Sequence, residues 1–342
     1  MPPRKLAGRY DLVNNMVNNA VTVTGFVETK EMRAKRHAST RKHILKSWQL
    51  YAMLLLPVAY VLLFSYYPMY GLLIAFKDYT PKLGIFGSEW VGLKHFVSFL
   101  NGQMFWTLFR NTLIVSIYSL LCSFPLSVIL ALALNVVRVE KFKKVVQTVT
   151  YIPHFFSVVI VVGMMFQIFS PHIGIFKHLV VMLQGEGAAI PDIMGNANAF
   201  YHTYVWSTVW QNLGFNSIIY IAALSSVDTE LYESAQIDGA SRFKILLNID
   251  IPTILPTIII MLILRSGTIL TVGYEKALLM QNTANIKYSE LISTYVYNEG
   301  VVKGFKQYSS TTAINMFNSI INFICIWSVN KFSQKVGESS LW

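Results

Sequence analysis

The sequence predicts an all-α integral membrane protein with six transmembrane helices. Three observations carry that prediction. Of its 342 residues, 54% are hydrophobic and only 13% are charged, against about 25% charged residues in a soluble domain. Six stretches approach or exceed the roughly 20 residues that a helix needs to cross a bilayer. Their apolar residues come in unbroken runs, such as Val158-Val159-Ile160-Val161-Val162 and Ile258-Ile259-Ile260-Met261. A membrane β-barrel would alternate apolar and polar residues instead. Backbone groups in lipid must bond internally, so these runs are helices.

The first stretch carries no Lys, Arg, Asp or Glu from Ser47 to Phe76. The second is charge-free from Asn111 to Val137, and the third from Val145 to Phe176. The fourth runs from Ile193 to Val227, part of it beyond the membrane, and the fifth, Ile251 to Tyr274, contains Arg265. The sixth spans Gln307 to Asn330. Cys122 and Cys325 both sit in apolar runs and read as small buried hydrophobes, not a disulfide framework.

The net charge of +11 is a topology signal and not a nucleic-acid footprint. Ten Lys and Arg precede Ser47, and Arg138, Lys141, Lys143 and Lys144 lie between the second and third stretches. The positive-inside rule puts both segments in the cytoplasm. Six crossings then return the C-terminus, with Lys331 and Lys335, to the same side. Lys77, Lys82, Lys94 and the Lys276–Lys306 group soften the asymmetry from the outside.

Residues 1–47 form a polar, basic tail without the apolar core of a cleavable signal peptide. Two readings stand for it: an amphipathic surface helix over Lys30 to Lys46, or a loose tail held near anionic lipid. Residues 48–330 form the membrane domain, and residues 331–342 a short C-terminal tail. The external segments Lys77 to Arg110 and Pro171 to Tyr204 are rich in Gly and Pro turn signals. They suit either a ledge for an extracytoplasmic partner or a simple lid over the bundle.

Between the fourth and fifth stretches lies a polar segment, residues 228–252. Asp228 can cap a helix through its carboxylate, and Glu230 adds favourable charge in the first turn. That helix aligns Leu231, Ala235 and Gly239 on one face. Gly239 then breaks it, and Ser241 can cap a second helix over Arg242 to Asn248. Pro252 and Pro256 mark the start of the fifth crossing. Residues alone permit an ordinary interfacial hairpin here.

Two features inside the bilayer ask for a polar environment. Arg265 costs about 2.5–3.5 kcal/mol at a helix centre on insertion scales, so it faces a wet cavity or holds a structural partner. Thr268 and Thr271, with Gly267 and Gly273, suit a helix break or a polar lining. Trp206, Trp210, Gln211, Asn212, Asn216 and Tyr220 cluster in the fourth stretch. Sugars need hydroxyl partners and flat apolar faces, and helix–helix hydrogen bonding is the rival use of the same residues.

The chain lacks a phosphate-binding G-x-x-x-x-G-K-[ST] loop, and no H-E-x-x-H metalloprotease pattern occurs. Its seven His are scattered, with His172 and His178 outside the bilayer. No enzyme reading follows. An ion-coupled secondary transporter is an alternative class, but such proteins carry acids at the midplane, and the six stretches hold no Asp or Glu there.

Residues 233–240, Glu-Ser-Ala-Gln-Ile-Asp-Gly-Ala, followed by Ile249-Asp250-Ile251-Pro252, closely resemble the EAA loop of ABC importer permeases. Glu233, Ala235, Gly239, Ile249 and Pro252 match in register, while Ser234 and Ile251 replace the usual Ala and Leu. Asp238 and Ala240 lie inside the same stretch. Three further segments look like the polysaccharide and oligosaccharide branch: Tyr67-Pro68-Met69-Tyr70-Gly71 through Tyr79, Val272-Gly273-Tyr274-Glu275-Lys276 through Asn282, and the terminal Ser339-Ser340-Leu341-Trp342.

The resemblance implies the ABC type I importer permease fold in the cell membrane, with both termini cytoplasmic and the 228–252 loop docked on an ATPase. It implies a second homologous permease, two cytoplasmic ATPase subunits and an extracytoplasmic sugar-binding protein as partners, with an oligosaccharide as cargo. This chain would bind no cofactor, ATP and magnesium being used by the partner ATPase. Alignment with sugar permeases adds Trp210, Gly214, Ser217, Thr268 and Val272 as pocket-facing residues. A permease for another small solute, such as a sugar phosphate, is the alternative within the class.

Overall fold

The structure, a computed structural model, describes residues 46–304, 307–336 and 340–341. The expected surface helix over Lys30 to Lys46, most of the N-terminal tail and part of the C-terminal motif lie outside the described residues. The chain divides into two compact units, Met1–Tyr70 and Gly71–Trp342.

The first unit contains α1 (Trp48–Val61), which passes into a π turn at Leu62–Tyr66 and a 3-10 stretch over Tyr67–Phe76. The whole run of 29 residues is long and apolar enough to cross a membrane. None of the α1 residues is buried. In water such a helix would be unstable, whereas lipid tails are as apolar as its leucines.

The second unit begins within that 3-10 stretch, at Gly71, and continues into a small antiparallel ribbon, β1 (Lys77–Asp78) against β2 (Glu89–Trp90), which pairs Lys77 with Trp90 and flanks the single turn α2 (Gly84–Gly87). The helix α3 (Lys94–Leu100) follows. Lys94 and His95 both reach the Asp78 carboxylate, and His95 also meets the Ser310 hydroxyl through Nδ1. The Lys94 ammonium, hydrogen-bonded to Asp78, holds that carboxyl below its usual range.

The second crossing is α4 (Phe105–Val136), 32 residues, or about 48 Å at 1.5 Å per residue. It outruns a hydrocarbon core of about 30 Å and so extends into an external segment. The third stretch departs from the single helix expected over Val145 to Phe176. It breaks into α5 (Glu140–Tyr151), a 3-10 turn at Ile152–Phe155 and α6 (Val158–Ile168), bent by 102°. Pro153 has no N–H to continue the helical ladder, and the Ser157 hydroxyl caps the new helix by accepting from the Ile160 N–H at 3.3 Å. The amphipathic α7 (Ile175–Gln184) follows.

The fourth crossing, α8 (Phe200–Leu224), lies along α4 as its principal neighbour. At 25 residues it is long enough to span, but with its Asn, Gln, Thr and His residues it is not among the runs apolar enough to cross by composition alone. Four helical runs cross by length and apolarity, and the bent pair α5–α6 makes a fifth. With α8 these give the six-span helical membrane fold.

After α8 the chain forms α9 (Thr229–Ile237) and the single turn α10 (Arg242–Ile245). A π turn at Leu246–Asp250 leads into α11 (Ile251–Ser266). The second helix of the hairpin therefore does not end at Asn248. Residues Arg242–Ser266 form one 25-residue helical run, with the π turn at Leu246–Asp250 placed directly before Pro252, the residue that has no N–H to give. The fifth crossing stops at Ser266 and not at Tyr274. Short helices α12 (Tyr274–Met280), α13 (Ile286–Ser289) and α14 (Ile292–Tyr297) follow, then α15 (Tyr308–Val336), the sixth crossing.

Of the three apolar clusters among the described residues of the second unit, two flank its centre. One joins Val115 of α4, Val161 and Met165 of α6, Val205 and Val209 of α8, and Ala277 and Met280 of α12. The other joins Ala131 and Leu132 of α4, Tyr220 and Leu224 of α8, and Ile254 of α11. Cys122 and Cys325 are free.

Candidate functional site

Between these two apolar clusters, α4, α8 and α11 part around a cavity of about 280 Å³. Along α4 it is lined by Ser116, Ser119, Ser123 and Ser127, a spacing that puts all four on one helical face. The hydroxyls of Ser116 and Ser119 are buried with no hydrogen-bond partner. Together the four serines form a polar stripe on an otherwise apolar helix.

The opposite wall comes from α8 and from the end of α11. Of the residues expected to line a substrate path, Asn212, Asn216, Tyr220, Arg265, Thr268, Thr271 and Val272 meet at this cavity. Among its described lining residues, Arg265 is the sole formally charged one. Its Nη2 donates to Asn216 Oδ1 at 2.8 Å, and it enters none of the described ion pairs. A guanidinium carries five N–H donors, so most of this group's capacity faces the cavity.

The backbone beyond Arg265 explains the breadth of that wall. After Ser266 the chain turns through Gly267–Gly273, and Asn322 of α15 holds it there. Its Oδ1 accepts from the Leu270 N–H at 2.9 Å, and its Nδ2 donates to Thr271 Oγ1 at 3.0 Å. A continued helix would also have kept Thr268, Thr271 and Val272 on one face, at i, i+3 and i+4, and the turn adds Ile269 and Gly273 to the same wall.

Four expected residues lie elsewhere. Trp210 is exposed on the outer face of α8. Gln211 is buried and donates to the Phe156 carbonyl at 3.0 Å, steadying the corner between α5 and α6. Gly214 is a packing glycine, since a Cβ there would stand 2.3 Å from the Thr150 carbonyl oxygen. Ser217 is fully buried and donates to the Gly214 carbonyl at 2.6 Å. These four share the α8 sequence with the cavity residues but point away from it, toward α5 or outward. Trp206 likewise stands exposed, donating to the Tyr118 hydroxyl.

Sequence reasoning missed the serine wall, Tyr204 and Thr208, all of which line the cavity. The serine spacing was visible and could have been found as a polar stripe on an apolar helix. Lys276 was also missed as a feature of this region. It is buried, donates to Thr208 Oγ1 at 2.9 Å, and stands 5.4 Å from the Tyr204 ring centroid. Lysine buried without a carboxylate is rare, and nothing in the local sequence marks it.

The second candidate region is the α9–α10 hairpin. The Asp228 carboxylate accepts from the Glu230 N–H at 3.0 Å, and Ser241 Oγ accepts from the Lys244 N–H, capping the two helices as their sequence requires. Gly239 ends α9 at φ +70°, a left-handed conformation that glycine adopts without strain. The Ala240 N–H then reaches back to the Ala235 carbonyl at 2.9 Å, closing the terminus. Glu233, Asp238, Gly239 and Pro252 are exposed, and Ala235, Ala240 and Ile249 are half-buried. Leu231, Ile237 and Phe243 also stand exposed, so the hairpin offers a polar face seeded with large apolar side chains.

Three comparisons bear on this arrangement. The family described as "Binding-protein-dependent transport system inner membrane component" matches residues 123–338. The chain is 41% identical to the polygalacturonan/rhamnogalacturonan transport system permease protein YteP of Bacillus subtilis, over 86% of this chain and 90% of that protein. It is 40% identical to protein LplB of the same organism, over 86% and 91% of the respective chains. Its fold matches a chain of the crystal structure of a bacterial alginate ABC transporter in complex with alginate pentasaccharide-bound periplasmic protein. That match has a TM-score of 0.79 and 35% identity, and covers 88% of this chain and 99% of that one.

Proposed function

The chain belongs to the family of binding-protein-dependent transport system inner membrane components, and from that premise we propose that it forms half of the path of an ATP-driven importer for acidic oligosaccharides. As a member of that family it is a multi-pass membrane permease subunit and not an enzyme. A second permease and two ATPase subunits complete the complex, and an extracytoplasmic binding protein delivers the sugar. The chain itself holds no cofactor, and ATP with magnesium is spent in the ATPase subunits.

The observation that carries the cargo assignment is the cavity. It pairs a serine-lined wall and two side-chain amides, suited to sugar hydroxyls, with a guanidinium that has no carboxylate partner among the described residues. A charge-assisted bond from arginine to a carboxylate is about twice as strong as a neutral one, which suits a uronic acid over a neutral sugar. Relatives named for polygalacturonan and alginate support the same class. The α9–α10 hairpin is the element that docks on the ATPase, through Glu233, Ala235, Asp238, Gly239 and Ala240, with Ile249 and Pro252 fixing its exit into α11.

ATP closing the ATPase pair would move this hairpin and swing the permease pair to face outward. Hydrolysis resets it. Coupling requires that ATP and the loaded binding protein favour the same state. Competition uptake tests the cargo. Oligogalacturonides should block uptake of a labelled oligogalacturonide, while their methyl esters should compete at least tenfold less well. Equal competition by ester and acid would overturn the acidic assignment.

A further inference from the structure

We propose that the Asp250 carboxylate is the joint through which movement of the α9 helix reaches α4 and α11, two of the three helices that line the cavity. This rests on α9 being the ATPase-docking element. The residue is 2% exposed, which is unusual for an aspartate. No cation pairs with it among the described ion pairs. Its Oδ1 instead accepts from the Tyr232 hydroxyl at 2.6 Å and from Asn135 Nδ2 at 3.2 Å, and Asn135 Nδ2 also meets the Tyr232 hydroxyl at 3.4 Å.

Each member of this triad comes from a different element. Tyr232 lies in the middle of α9, Asn135 at the end of α4, and Asp250 in the π turn that opens α11. Burial and the neighbouring carboxylate push the Tyr232 hydroxyl up to about 12, so it stays a donor. A buried carboxylate held only by these neutral donors cannot release one of them without leaving its charge uncompensated. The three elements therefore move together or the joint breaks.

The geometry downstream gives that joint leverage. On α4 the serine wall begins at Ser127, two turns before Asn135. On α11, Arg265 lies 15 residues beyond Asp250, about 22 Å along the helix axis at 1.5 Å per residue. The apolar cluster of Ala131, Leu132, Tyr220, Leu224 and Ile254 sits between joint and cavity and transmits a displacement as a packed solid, not a fluid. A tilt imposed on α9 thus reaches both cavity walls at once.

The test uses the full importer, with its partner permease, ATPase subunits and binding protein, reconstituted in liposomes. Transport and ATP hydrolysis are read together, and their ratio is the diagnostic. Tyr232→Phe removes one hydroxyl without changing the fold of α9, and Asp250→Asn removes the charge at constant volume. Each should lower the sugar moved per ATP at least fivefold, and the double variant should be no worse than Asp250→Asn alone. Transport and hydrolysis falling in equal proportion, or both unchanged in Tyr232→Phe, would overturn the joint. If Asp250→Asn fails to assemble, the Tyr232→Phe ratio decides by itself. Ile237→Asp, on the exposed face of α9, separates the premise. If it leaves ATPase co-purification and hydrolysis untouched, the docking reading of α9 fails; if it disturbs them while Tyr232→Phe is silent, only the joint fails.

Discussion

Arg265 spends one of its donors on Asn216 and keeps the rest for the cavity. Replacing it with Ala should cut uptake of an acidic oligosaccharide at least tenfold while the subunit still co-purifies with its partners. Arg265→Lys should fall between the two, since a point charge replaces a planar fork. Normal uptake in Arg265→Ala would make the arginine structural. Ser116 and Ser119 make a sharper case, because their hydroxyls have no partner to lose. Removing an unsatisfied buried group is neutral or stabilising. Ser116→Ala and Ser119→Ala should therefore leave the melting temperature unchanged or raised. Each should raise the transport KM about fivefold if it binds a sugar hydroxyl, the value of roughly one hydrogen bond. Gly214 is the opposite kind of residue, a steric position. Gly214→Leu should lower the thermal stability of the purified protein, because a side chain there meets the Thr150 carbonyl, and overpacking costs about 1–3 kcal/mol.

At the level of the element, the α9–α10 hairpin was the most legible part of the chain. Its caps, its glycine break and its alanines follow from local chemistry, and Asp228, Gly239 and Ser241 each occupy the position their sequence assigns. Gly239→Leu would force a branched side chain into the left-handed region, at about 1–2 kcal/mol. No neighbouring atom obstructs a side chain at that site, so the cost is conformational. The variant should insert in the membrane normally and show ATP hydrolysis uncoupled from transport. Coupled transport at the native ratio would count against the hairpin's role. The third crossing was the least legible element. Hydropathy sees Val145 to Phe176 as one apolar run, while Pro153 and Ser157 divide it into two helices at 102°. Composition reports what lipid tolerates, and it is blind to a turn that carries no Lys, Arg, Asp or Glu.

On the scale of the whole molecule, the described architecture places an apolar cluster on either side of a polar cavity. The polar lining thus interrupts the apolar packing along α4 and α8. It also makes the two ends of α4 and α8 anchors and their middles walls. The topology carries its own prediction. A tag on the C-terminus should be protected from external protease in sealed cells, and cleavage there would reverse the orientation. Purification from native membrane in mild detergent should bring an ATPase and a second permease along, whereas a lone chain that transports without ATP would contradict the family's mode of action.

The sequence by itself determined the class of molecule and its helical crossings, because a bilayer punishes every unpaired backbone group and every stray charge along the chain. It also determined the α9–α10 hairpin, whose caps and turns act over a few residues. Only the tertiary structure decided which face of α8 meets the cavity. Asn212 and Asn216 line it while, one residue before or after them, Gln211 holds the corner between α5 and α6 and Ser217 is buried against its own helix. The same holds for Asn135, Tyr232 and Asp250, which lie far apart in the chain and meet as one buried cluster. Helical rotation and long-range meeting are set by how neighbouring helices pack, and one-dimensional hydropathy contains neither.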